Sequence, residues 1–193
     1  MKDFGRLVQE HFGALSQDDL AVIHSYFKEE KLNRNEKFTE SGQICNKLSI
    51  VKSGILRVYA LSEDGREITQ WLSTKDFFIT ELMGFFFNQP NRWTIQAFTE
   101  TELLSISKTD YITLCRKFPK WIEIEKQFII KCFAMMEDRI FSHLSMTAEE
   151  RYNRYFEQHK ELFHLVPLQY IASVLGMTPE TFSRIRKRKA QNS

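Results

Sequence analysis

Cysteine is scarce: Cys45, Cys115 and Cys132 are the only three in 193 residues. They are widely spaced, with no CxxC and no Cys/His ligand spacing. A structural zinc or a cysteine-ligated iron–sulfur site needs clustered ligands, so these read as ordinary, partly buried thiols. Histidine is absent between residues 25 and 142, which removes the ligands of a metal-dependent β-barrel enzyme. No P-loop, GxSxG or paired-carboxylate arrangement is present either. No catalytic residue and no metal ligand is therefore expected, and the chain does not read as an enzyme.

Only 7 Gly and 4 Pro are present, which argues against long disordered linkers. No apolar stretch approaches the ~20 residues that a membrane span needs. The opening MKDFGRLVQEHF alternates charge with apolar residues and carries no signal-peptide h-region, so a cytoplasmic, non-membrane protein is expected. An excess of one charge is also missing, with 27 Lys+Arg against 25 Asp+Glu. That balance hides an asymmetry. Residues 147–193 hold 8 basic against 5 acidic side chains, and residues 1–146 hold 19 against 20. A near-neutral body with a basic end is expected if only the end meets a polyanion.

What is abundant is phenylalanine, with 17 copies, so core material is plentiful. Ser16 followed by Asp19 is a cap-like spacing, and Leu20, Ile23 and Phe27 recur behind it at helical intervals. From about Asn35 the period changes to that of strands. LSIVKSGILRVYA (48–60) is β-branched and punctuated by Gly54, and Asp64-Gly65 is a hairpin signal between two strand-like runs. WTIQAFTETELLSIS adds two short strands around a polar turn at Thr99–Glu102. Several short strands with polar turns predict a small antiparallel barrel or jelly roll. Between them, DFFITELMGFFFNQPNRW (76–93) is neither alternating nor turn-like and reads as a long loop holding a short helix.

Helical period returns at Ser107, a cap for KTDYITLCRKF, and breaks at Pro119. A long helix is expected from about Lys120 to Leu144, with two apolar stripes. Ile129, Phe133, Met136, Ile140 and Leu144 form one, and Trp121, Phe128 and Met135 the other. One stripe packs a helix on its own domain; the second is placed against a partner helix in a homodimer. Thr147 with Glu150 is a capping box that opens the next helix. Pro167 then starts a helix that ends at Gly176.

Gly176-Met177-Thr178 is a three-residue turn between two short helices, with Ile171, Leu175, Met177, Phe182 and Ile185 as the shared apolar contact. Thr178 caps the second helix and Pro179 sits in its first turn. With Phe182 and Ile185 inward, Glu180, Thr181, Arg184, Lys187 and Arg188 face out. Five of the six positions from Arg184 to Lys189 are basic. Turn, packing and charge together favour a helix-turn-helix over an incidental helical hairpin. Thr178, Glu180, Thr181, Ser183, Arg184, Lys187 and Arg188 are the candidate DNA-binding residues, by base-edge and phosphate contact.

Over nearly its full length the sequence resembles the Crp/Fnr family of bacterial transcription regulators. LSIVKSGILRVYALSEDGREI looks like that family's strand–Gly–strand–turn pattern, and YIASVLGMTPETFSRIRK is close to its DNA-binding signature. TAEERYNRYF and TPETFSRIRK look like the subgroup common in Bacteroidetes. The resemblance implies an α+β fold with three parts. Residues 1–118 would be a double-stranded β-helix (jelly roll) of the cyclic-nucleotide-binding type, 119–146 a dimerisation helix, and 147–193 an all-α helix-turn-helix domain. The dimer interface would use Trp121, Phe128, Ile129, Phe133, Met136 and Ile140. Glu180 and Arg184 inherit the base-reading role, Pro179 stands where the family has Arg, and the chain stops at Ser193 where a β-hairpin wing is usual. Lys187, Arg188 and Lys189 are expected to replace some phosphate contacts of that wing.

The family's phosphate-binding cassette, Phe-Gly-Glu-Leu and then Arg-Ser/Thr-Ala, reads here as Ile79-Thr80-Glu81-Leu82 and Arg92-Trp93-Thr94. Glu81, Leu82, Arg92, Trp93 and Thr94 are thus the candidate effector-pocket residues. Thr80 replaces the glycine, and Trp93 a small hydroxyl residue, while Phe85, Phe86 and Phe87 make the loop apolar. Anion cradles rest on small residues and exposed amides. The expectation is a degenerate cassette, with Glu81 and Arg92 as a structural ion pair or facing solvent, open to a more apolar effector; cyclic AMP or cyclic GMP remains the ligand to test. The family's haem and iron–sulfur sensors lack their ligands here, so no cofactor is assigned. Expected partners are double-stranded DNA, a second copy of the chain, RNA polymerase and a small effector of unidentified kind. The competing reading is a ligand-independent module whose helix-turn-helix docks protein rather than DNA.

Overall fold

The computed structural model describes residues 15–191, so the reading of the N-terminal MKDFGRLVQEHF lies outside the described residues. Helix α1 (Gln17–Ser25) begins where Ser16 accepts the amide of Asp19 at 3.1 Å. Strands follow in the order β1 (Lys28–Leu32), β2 (Lys37–Thr39), β3 (Lys47–Ser53), β4 (Leu56–Leu61), β5 (Glu67–Ser73) and β6 (Phe78–Ile79). Helix α2 (Leu82–Phe87) interrupts them before β7 (Thr94–Ala97) and β8 (Thr101–Ser107). The expected turn at Thr99–Glu102 is shorter than read, because Thr101 and Glu102 pair with Leu32 and Lys31 in the ladder.

The strands form two sheets, β1-β8-β3-β6 and β2-β7-β4-β5, with antiparallel pairing in the first. In the first sheet, Leu48 lies opposite Ile106 and Ile50 opposite Leu104. The alternation of a pleated strand puts these four side chains on one face, where they join the core with Leu20, Ile23, Leu114, Trp121 and Ile124. That core is what α1, α3 (Lys108–Lys117) and the start of α4 (Lys120–Ser145) cover. On the other face Ser49 and Ser105 share a hydroxyl bond of 2.7 Å, and Ser105 donates to Glu30 at 2.6 Å.

The chain divides into two compact units. One holds the described residues through Val58 with Ser73–Phe133; the other holds Tyr59–Leu72 with the described residues from Ala134 on. The β4–β5 hairpin clusters with the C-terminal helices, and α4 contributes to both units.

The C-terminal unit adds α5 (Ala148–Gln158), α6 (Leu162–Leu165), α7 (Leu168–Val174) and α8 (Pro179–Gln191). Thr147 and Glu150 make the reciprocal bonds of a capping box at the start of α5. Tyr152, Leu162, Val166, Ile171, Phe182 and Ile185 form the buried interior of these helices. Tyr152 meets Phe182 edge-on at 5.2 Å, and Phe163 stacks on Phe182 at 6.0 Å. Among the described residues no helix is long and apolar enough to cross a membrane.

Candidate nucleic-acid interface and effector cassette

Helix α7 ends at Val174 with Leu175 as its C-cap, and Gly176 takes a left-handed φ of +64°. The Gly176 amide bonds Ser173 O and the Met177 amide bonds Ala172 O, each at 3.0 Å. This pair of bonds is a Schellman end, which satisfies carbonyls that the helix leaves open. A Cβ at Gly176 would lie 3.0 Å from Nε2 of the exposed His143 side chain, which can shift, so it is the positive φ that selects glycine. Thr178 then accepts the amide of Thr181 at 3.2 Å and starts α8.

The inward face of α8 is closed by Phe182 and Ile185, 1% and 2% exposed. Glu180, Ser183, Arg184, Arg186, Lys187 and Arg188 are exposed, and Thr181 is half-buried. Pro179, Glu180, Ser183, Arg184, Lys187 and Arg188 line one shallow concave surface. Hydrogen bonds from its own backbone amide and from the Thr178 side chain hold the Glu180 carboxyl below the usual range, so it is an acceptor at neutral pH. All of the side chains assigned to DNA from the sequence thus belong to one helix and its cap. Two cations of the basic run have a protein partner: Arg188 pairs with Glu149 at 2.8 Å, and Lys189 lies 3.8 Å from the same carboxylate.

On α4 the two stripes separate. Trp121 is fully buried among Phe27 and Phe78, and Phe128 packs on Phe78 with ring centres 4.4 Å apart. Trp121 is therefore removed from the set assigned to a partner helix, because a side chain with no exposed surface has nothing to offer one. Ile129, Phe133, Met136, Ile140 and Leu144 remain more than half exposed. Solvent contact over such a continuous apolar stripe is costly, and monomeric proteins seldom keep one.

The cassette is organised by Glu81, which is 2% exposed. Its Oε2 accepts the Gly84 amide at 2.9 Å, capping α2, and its Oε1 accepts the Arg92 backbone amide at 3.0 Å. The expected side-chain ion pair gives way to a backbone bond, and Glu81 does not face solvent. Burial explains the change: inside the fold, a carboxylate is best satisfied by fixed amide donors nearby. Arg92 is exposed, with its guanidinium 5.6 Å from the Trp93 ring centre. Trp93 is half-buried, and Thr94 is buried and accepts the Ser41 amide at 3.1 Å. Leu82 is 60% exposed, and Phe87 is exposed as well.

Asn91 escaped the sequence reading. It is buried, accepts the Cys45 amide at 3.0 Å, and donates to Thr39 and to Glu40 O. Gly84 packs so closely here that a Cβ would stand 2.2 Å from Asn91 Oδ1. Nothing in spacing announces the Cys45–Asn91 bond, which joins residues 46 apart. Arg139 and Arg151 were missed as well. The partners of Arg139 are main-chain carbonyls, which carry no sequence signal.

Residues 29–118 match the family model of the cyclic nucleotide-binding domain. No curated protein sequence matches the chain. Among solved structures, the chain is similar to CLP of Xanthomonas campestris, a c-di-GMP responsive global regulator. The TM-score is 0.71 at 16% identity, covering 92% of this chain and 93% of that one. It is also similar to the catabolite activator protein of Thermus thermophilus, with a TM-score of 0.58 at 21% identity, covering 94% and 86% of the two chains. A CooA mutant from Carboxydothermus hydrogenoformans gives 0.67 at 17% identity, covering 88% and 79%. At such identities the likeness establishes a shared fold.

Proposed function

We propose that the chain is a dimeric, DNA-binding transcriptional regulator of the Crp/Fnr type, with α7 and α8 as its helix-turn-helix. The observation that carries this reading is the division of α8 into a sealed face, Phe182 and Ile185, and an exposed face bearing Glu180, Ser183, Arg184 and Lys187. Such a helix has a fixed seat and a free edge of hydrogen-bonding side chains, as a major-groove reader requires. Arg184 grips guanine, Glu180 accepts from cytosine, and Lys187 and Arg188 hold phosphate. The exposed stripe from Ile129 to Leu144 supports a second copy as partner, since two readers must reach half-sites about 34 Å apart.

The test is fluorescence anisotropy on duplex DNA across a salt series. Affinity that falls linearly in log–log form with salt supports the regulator. Absence of duplex binding at low salt overturns it in favour of a module that docks protein.

The engagement of both Glu81 oxygens favours a cassette that serves the fold, with any effector more apolar than a cyclic nucleotide. An effector would act by its difference in affinity between two arrangements of the readers. Calorimetry with cyclic AMP and cyclic GMP decides this point, and micromolar binding of either would refute it.

A further inference from the structure

The carbonyls at the end of α7 carry more than the Schellman bonds. Arg139, on α4, donates from Nη2 to Val174 O at 3.0 Å and from Nη1 to Gln70 O of β5 at 2.5 Å. Its guanidinium lies 5.9 Å from the ring centre of Trp71. Beside it, Ser173 of α7 accepts the Thr69 amide of β5 at 2.8 Å. One residue on, Arg151 of α5 donates to Leu175 O at 3.0 Å and to Met146 O at 2.8 Å. Two cations thus meet the negative end of α7 immediately before the turn that launches α8, where helix carbonyls otherwise lack partners. The planar guanidinium fork is pre-organised to reach two carbonyls of different elements at once.

Resting on the DNA-binding reading, we propose that Arg139 is a positioning residue for α8, clamping the end of α7 to strand β5 so that the β4–β5 hairpin and the turn Gly176–Thr178 move as one piece. Arg139 touches main chain rather than nucleic acid, so it acts on affinity without acting as a phosphate contact. Ser173 supplies the second point of the clamp, which prevents pivoting about a single bond.

The experiment uses the full chain with Arg139→Gln and with Arg139→Lys, which keeps the charge and loses the fork. Duplex affinity is measured across a salt series, and amide exchange is followed at Thr69, Gly176 and Met177. Both variants are expected to bind DNA about tenfold more weakly at fixed salt, the size of one or two lost charge-assisted hydrogen bonds. The salt slope is expected to stay that of the native protein, because no phosphate contact is lost. Exchange is expected to quicken at Thr69 and at the turn together. A slope shallower by about one would overturn the proposal by making Arg139 a phosphate ligand. Exchange unchanged, or quickened on one side only, would also overturn it. If the native chain binds no duplex, the DNA-binding reading falls and the exchange result alone decides the clamp. Should Arg139→Gln fail to fold, Arg139→Lys and Ser173→Ala carry the same readouts.

Discussion

Glu81 holds Arg92 by its backbone amide at 3.0 Å, while the Arg92 guanidinium turns away over Trp93. The carboxylate spans two elements, since its other oxygen caps α2 through Gly84. Glu81→Gln puts an amide donor against one of two N–H groups that need an acceptor. We expect a loss of about 1–3 kcal/mol in folding stability, read from urea denaturation. Cyclic AMP in the same titration is expected to leave the midpoint in place. A concentration-dependent rise would show that the cassette takes it.

The long helix makes two contrasting predictions. Trp121→Ala empties a fully buried site and is expected to cost about 3–5 kcal/mol. Phe133→Glu with Ile140→Glu places charge on the exposed stripe. That pair is expected to leave helical circular dichroism intact and to convert a dimer to a monomer in sedimentation equilibrium. A wild-type monomer at the same concentration would remove the stripe from the interface.

Glu149 pairs with Arg188 at 2.8 Å and lies 3.8 Å from the Lys189 ammonium, two cations of the basic run on α8. Exposed ion pairs of this kind are worth about 0–1 kcal/mol, so Glu149→Gln is expected to leave stability nearly unchanged. The same change removes a negative charge and releases two cations, so duplex affinity is expected to rise severalfold at low salt. An unchanged affinity in anisotropy would place both cations away from the phosphate path.

His159 packs against Tyr155 with tilted rings whose centres are 4.5 Å apart, and burial holds its pKa below the usual imidazole range. The unfolded chain therefore takes up this proton first as pH falls below about 6.5. Its contribution is complete above the unfolded value and is lost as pH falls through the folded one. Urea midpoints measured across that window are expected to decline toward acid, and His159→Gln is expected to flatten the decline. Equal slopes in the two proteins would assign the decline to other groups.

Local chemistry made most elements legible before any coordinates. Ser16, Ser107 and Thr147 act as caps because a hydroxyl three residues from a free amide finds it wherever a helix starts. Gly176 ends α7 for an equally local reason. The stripes on α4 were legible as stripes, but which of them meets the chain's own core was not. That depended on Phe27 and Phe78, contributed by distant segments. Thr101 and Glu102 were misread as turn because the ladder with Leu32 and Lys31, which defines β8, is non-local.

The sequence by itself determined the order of helices and strands, the turn into α8, and the division of that helix into apolar and basic faces. Each follows from neighbours within a few positions, where periodicity and capping act. Only the tertiary structure decided that Glu81 serves the backbone, that Trp121 belongs to the core, and that Arg139 joins β5 to α7. Trp121 is placed by the Phe27 and Phe78 rings of distant segments, Glu81 by the main-chain amides of Gly84 and Arg92, and Arg139 by main-chain carbonyls far off in the chain. Every residue carries the same backbone groups, so no residue pattern marks where they will meet.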